Sequence, residues 1–176
     1  MWIAQQKRKE NVAEYILYMW QIEDIIRSYN MDLLKIEEEL ISQYKLQEAE
    51  EDALFEWYKD LVNQMRTEGV ANKGHLAMTT EILNQLFFIH QNLLNDKKDY
   101  EYTQQFKKCE PIISDLKEKS GVGSLNDLEI CFNGLYGKFI MKLQQKEISP
   151  ETEAALKEIS KMISFLVKEY NKAFSK

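Results

Sequence analysis

The chain has 176 residues, of which 23 are basic and 29 acidic, for a net charge of −6; 44% are hydrophobic and 30% charged. That length buries enough apolar surface for one domain without covalent staples. The acidic balance argues against nucleic-acid binding, which needs a local basic excess. Two cysteines without CxxC spacing exclude a disulfide framework and a cysteine-rich zinc site, so reduced thiols in a cytoplasmic protein are the expectation.

With only six Gly and two Pro, turns are scarce and the Glu/Lys/Leu-rich composition favours helices. The start of the chain lacks the apolar core of a secretory signal. The apolar run over 15–20 falls far short of the roughly 20 residues a membrane span needs. No membrane partner is expected.

In chain order, apolar periodicity predicts a first helix over 5–28, interrupted at Asn30, and a second over 33–44 with Asp32 as its N-cap. A third spans 46–68 and ends at Gly69, followed by a loop over 69–74. The fourth covers 75–95, with Leu83, Leu86, Phe87, His90 and Leu94 at steps of three and four. The fifth runs over 98–119, with Pro111 expected to kink or divide it. After the break at 120–123, Ser124 is placed as the cap of the sixth helix, with Asp127 as its capping-box partner and Leu128, Phe132, Leu135, Phe139 and Leu143 as its stripe. Ser149 and Pro150 open the last helix as N-cap and first helical residue. No repeat and no linker divides the chain. The sum is an all-α fold: one domain over 1–176, a compact bundle of six or seven mostly antiparallel helices.

The first helix carries two apolar stripes. Tyr15, Tyr18, Met19, Ile22, Ile25 and Ile26 share one face; Ala13, Ile16, Leu17 and Trp20 share another. A helix apolar on two sides either lies centrally or offers its second side to another molecule, which makes those last four residues candidate interface positions for a second copy or a protein partner. Arg8, Asn11, Glu14, Tyr15 and Tyr18 are candidates for a polar, aromatic ligand pocket beside the first stripe. Gly134 and Gly137 are a second candidate binding element. Each glycine within a helix costs about 1 kcal/mol against Ala, so two within one turn imply close approach of another backbone or of a ligand. Asn126, Glu129 and Asn133 would border such a groove.

Chemical constellations are sparse. Neither His75 nor His90 completes a Glu-x-x-His motif, since positions 72 and 87 are Asn and Phe, and no metal site or cofactor is indicated. Cys131 sits in an apolar stripe and reads as inert; Cys109, among Lys107, Lys108 and Glu110, reads as less buried. Gly121 and Gly123 lack the rest of a phosphate loop. A helix-turn-helix over 113–137 would lead its reading helix with Asn126, Asp127 and Glu129, whose charges repel DNA.

The run QQKRKENVAEYILYMWQIED over 5–24 and the run NDLEICFNGLYG over 126–137 resemble the two hallmarks of a bacterial domain-of-unknown-function family, number 4924, found mainly in Bacteroides and its relatives. The resemblance covers essentially the whole chain. It implies a helical bacterial cytoplasmic protein and brings no activity, cofactor or catalytic residue with it. The function therefore stays open. A helical interaction or scaffolding domain, with self-association as one form of that role, is the first expectation, and a ligand-binding protein or an enzyme using the pocket beside the first helix is the alternative.

Overall fold

A computed structural model describes residues 2–96, 99–121 and 125–174. Among these there are eight α-helices and no strand: α1 (Trp2–Glu10), α2 (Val12–Ser28), α3 (Leu33–Lys35), α4 (Glu48–Thr67), α5 (Ala77–Gln91), α6 (Tyr100–Ser120), α7 (Asp127–Leu143) and α8 (Pro150–Phe174). The all-α expectation holds, with more helices than the six or seven expected. The described chain falls into two compact units, 1–82 and 83–176, with the first turns of α5 in the former.

The extra helix arises at Asn11. Its backbone is extended (φ −154°, ψ 99°) and its side-chain oxygen accepts hydrogen bonds from the Ala13 and Glu14 N–H groups, so it caps a new helix and ends the old one. Asp32 caps α3 in the same way through Leu34 and Lys35. Beyond that single turn the helix widens to π geometry over Ile36–Leu40 and tightens to 3-10 over Ile41–Tyr44. Gln47 and Glu50 form a capping box at the start of α4, and Gly69, at φ +72°, supplies the left-handed residue that ends it.

Pro111 lies within α6 without dividing it. Proline forfeits one backbone hydrogen bond. Both Pro111 and Lys107, whose carbonyl loses that bond, are exposed, so the unpaired group does not fall in the core. The expected cap at Ser124 lies outside the described residues; α7 is capped by Asn126, which receives the Glu129 N–H while the Glu129 carboxylate receives that of Asn126. Ser149 Oγ accepts the Thr152 N–H at 3.2 Å, and Pro150 opens α8 as expected.

In the first unit α2 is central. Ala13, Tyr15, Ile16, Met19, Trp20, Ile22 and Ile26 are all buried, and Leu17 is half-buried. Both stripes are thus covered, and the second cannot serve as a free surface. The wall opposite is α4, through Tyr58, Leu61, Val62 and Met65. Each fully buried aliphatic side chain contributes roughly 1.5–3 kcal/mol. In the second unit α6, α7 and α8 pack on one another around Tyr102, Cys109, Phe132, Ile159 and Leu166.

One buried carboxylate organises the loop before α5. Glu23, on α2, is fully buried; Oε1 accepts the Leu76 N–H at 3.1 Å and Oε2 lies 2.7 Å from His75 Nδ1. Arg27, one turn on, sits 3.8 Å from Glu23, pairs with Asp24 at 2.9 Å, and donates to the Val70 and Gly74 carbonyls. The His75 ring stacks on Trp20, with centroids 3.9 Å apart. The Glu68 carboxylate accepts the Ala77 N–H at 2.6 Å. Two acids thus receive the unsatisfied N–H groups at the mouth of α5, where negative charge is favoured. Replacing Glu23 by Ala leaves Arg27 and the Leu76 N–H without it, which costs about 3 kcal/mol. Urea unfolding of Glu23→Ala will show a fall in unfolding free energy of that size; a loss under about 1 kcal/mol is inconsistent with a buried, fully used carboxylate.

Candidate functional site

Two of the five polar and aromatic residues predicted around the first helix meet at a recess. Arg8 lies over the Tyr15 ring, its Cζ 5.7 Å from the centroid, and both border a recess of about 210 Å³ with Met19, Trp57 and Met78. The Tyr15 hydroxyl donates to Met78 Sδ at 3.2 Å, and burial pushes its ionisation above the ordinary phenol range. Asn11 is spent on capping α2. Glu14 accepts from Lys7 Nζ at 3.0 Å and Asn11 Nδ2 at 3.3 Å, and Tyr18 sits under Lys7, 6.0 Å from its ring centroid. These three are not on the recess wall.

The glycine pair behaves differently at its two members. A Cβ on Gly134 would stand 3.1 Å from Leu116 Cδ1 and 3.3 Å from Leu156 Cδ2, tighter than ordinary contact, so glycine here lets α7 pack closely against α6 and α8 without those methyls giving way. Among the described residues, a Cβ on Gly137 would meet nothing within 4 Å. Gly137 is exposed and opens onto a groove of about 340 Å³ between α6, α7 and α8. Ile112, Leu116, Met141, Ile148 and Leu156 make it apolar; Asp115, Lys119, Lys138 and Thr152 stand at its polar edge. Lys138 faces Glu153 at 3.7 Å.

Asn126, Glu129 and Asn133 do not border this groove: the first two form the α7 cap and the third is exposed. The apolar walls were missed from sequence because Ile112 and Leu116 lie beside the buried stripe Tyr102, Cys109 and Ile113 of the same helix. They read as its margin, and periodicity does not separate a margin from a groove wall.

The remaining chemistry-bearing groups are enclosed. His90 is buried, with Nδ1 2.5 Å from Tyr102 Oη and Phe106 against its ring at 4.9 Å. Burial holds its basicity below the usual imidazole value and pushes the Tyr102 phenol up. Cys131 is buried as expected. Cys109 is buried too, contrary to the exposure its lysine neighbours suggested, because it shares the inward face of α6 with Tyr102 and Ile113. Burial raises the Cys109 thiol to about 11 and the Cys131 thiol further still. Among the described residues no three His, Cys, Asp or Glu side chains converge as metal ligands, and no helix is long and apolar enough to cross a membrane.

Both thiols are therefore unreactive in the folded state. A disulfide reagent at about pH 8 will label neither at the rate of a free thiol, whose pKa is about 8.5, and both at once in denaturant. Rapid labelling of native Cys109 would show that it is not enclosed.

The model of one family, described as a domain of unknown function (DUF4924), matches residues 1–175. No curated protein and no solved structure matches the chain.

Proposed function

Since the chain belongs to the DUF4924 family, whose description assigns no activity, we propose from its geometry that it is a protein-interaction module, and that its docking surface is the α6–α7–α8 groove. The observation that carries this reading is Gly137. A glycine within a helix is unfavourable by about 1 kcal/mol against Ala, and among the described residues no atom needs the space at this position. The groove it opens is apolar with a polar edge, the anatomy of a protein interface. Absence of a Cβ lets a partner's helix approach the α7 backbone closely. Cytoplasmic residence, bacterial origin and folding of 1–176 as one domain belong to the same proposal. The enclosed thiols support the first, and a family match running through both units supports the last.

The groove volume also lies in the range that takes small molecules, about 300–1,000 Å³. This favours a second reading, an apolar ligand with an anionic head near Lys119. The recess at Arg8 and Tyr15, at about 210 Å³, is below that range.

Gly137→Ala separates fold from function. It relieves the helix penalty and meets no atom, so the variant gains about 0.5–1 kcal/mol in urea unfolding. A photo-crosslinking residue at Met141, in cells that naturally express the protein, will give a discrete adduct with another protein. Gly137→Trp, which fills the groove, will remove it. Absence of an adduct from position 141 and from position 148 overturns the interaction reading; a small-molecule adduct at 141 establishes the second.

A further inference from the structure

The net acidity of the chain is unevenly placed. Residues 1–82 hold sixteen acidic and nine basic side chains, and residues 83–176 hold thirteen acidic and fourteen basic. Four of the second unit's basic side chains, Lys108, Lys157, Lys161 and Lys168, wall a recess of about 700 Å³ between α6 and α8 together with Tyr100, against one carboxylate of the lining, Glu101. All four lysines are exposed, and Tyr100 is 79% exposed. Lys161 is paired with Glu158 at 2.5 Å. Among the described residues the other three have no carboxylate within 4 Å, so three of the four charges are not spent on a close ion pair.

An opposite surface exists on α4. Glu48, Asp52, Glu56 and Asp60 recur every four residues, and all four are exposed. Such spacing aligns them along one side of the helix. Glu56 holds Lys59 at 2.9 Å; among the described residues Glu48, Asp52 and Asp60 have no cation within 4 Å. At 1.5 Å per residue the acidic row is about 18 Å long, and the row from Lys157 to Lys168 is about 17 Å long. Length and sign both match.

We propose that the α6–α8 recess receives the α4 acidic row of a second copy of this chain, giving an association held by charge. A single exposed ion pair contributes under about 1 kcal/mol, so the contact depends on the whole row and is weakened by salt. Because the two surfaces differ, the contact either closes reciprocally into a two-fold dimer or continues head to tail. It uses neither Gly137 nor the apolar groove, so it stands or falls separately from the docking function proposed above.

Light scattering on the full chain tests it. At about 200 μM protein and about 20 mM salt, where the Debye length exceeds 20 Å, the average mass will reach about twice the monomer or more; at about 0.5 M salt it will return to the monomer's 20.9 kDa. Two triple variants, Lys157→Glu/Lys161→Glu/Lys168→Glu and Asp52→Lys/Glu56→Lys/Asp60→Lys, change only exposed positions and will keep the native circular dichroism. Each alone will be monomeric, and mixing them will restore association, since each reversed surface meets its reversed complement. A monomer at low salt, undiminished association in either variant, or a mixture that stays monomeric overturns the proposal. So does a low-salt monomer whose recess instead binds a labelled single-stranded oligonucleotide, read by fluorescence anisotropy.

Discussion

The first unit depends on a carboxylate that has been taken out of water. Glu23 has no solvent to satisfy it, so its two oxygens must be met by the chain, and they are met by the Leu76 N–H and the His75 ring. That requirement fixes where the loop after α4 returns. Arg27 then anchors the same loop through its Val70 and Gly74 carbonyls, and Trp20 covers the His75 face. Remove the carboxylate and the loop loses the reason for its path; α5 loses one of the two acids at its mouth. The large buried aromatic of α2 thus acts as a lid on a polar centre, which accounts for its inward orientation better than apolar packing alone.

Two glycines three residues apart show how one helix can meet two demands. At Gly134 the demand is internal. Leu116 and Leu156 approach so closely that a Cβ would require their methyls to give by a few tenths of an ångström. At Gly137, one turn on, the same backbone emerges into open space, and the helix bears the entropic cost of glycine with no packing return among the described residues. A sequence that needed only a well-packed three-helix layer would place alanine there. Gly137 is therefore the position at which packing among the described residues does not account for glycine, and the docking proposal starts from it.

Much of the fold was legible because helix ends announce themselves chemically. Asp32, Gly69, Ser149 and Pro150 were read correctly since each satisfies, or tolerates the absence of, a backbone group that the helix leaves unpaired. Asn11 was passed over for a plain reason: apolar periodicity runs straight through it, from Ala4 to Val12, and the side chain's turn toward the Ala13 and Glu14 N–H groups leaves no mark on that period. The site was less legible. Arg8 with Tyr15 and the Gly137 opening came from spacing along single helices. Ile148, which lies between α7 and α8, and the α6 walls join the groove only through tertiary packing. Cys109 was misplaced because its charged neighbours in sequence point away from it in space, a routine consequence of the 100° step between successive residues.

Net charge was also an incomplete guide, for a reason that bears on any acidic chain. A total of −6 constrains the mean field, whereas recognition depends on the field within a Debye length, about 8–10 Å at ordinary ionic strength. At that range the α6–α8 recess presents four lysines regardless of the acids carried by residues 1–82. An acidic row and a basic row on the same chain also create a condition that a uniformly charged protein lacks. Other chains of net negative charge are repelled on average. A copy of the protein itself carries, on α4, an acidic row that matches the recess in sign and length, and under the proposed association complementarity would discriminate where affinity per ion pair is small.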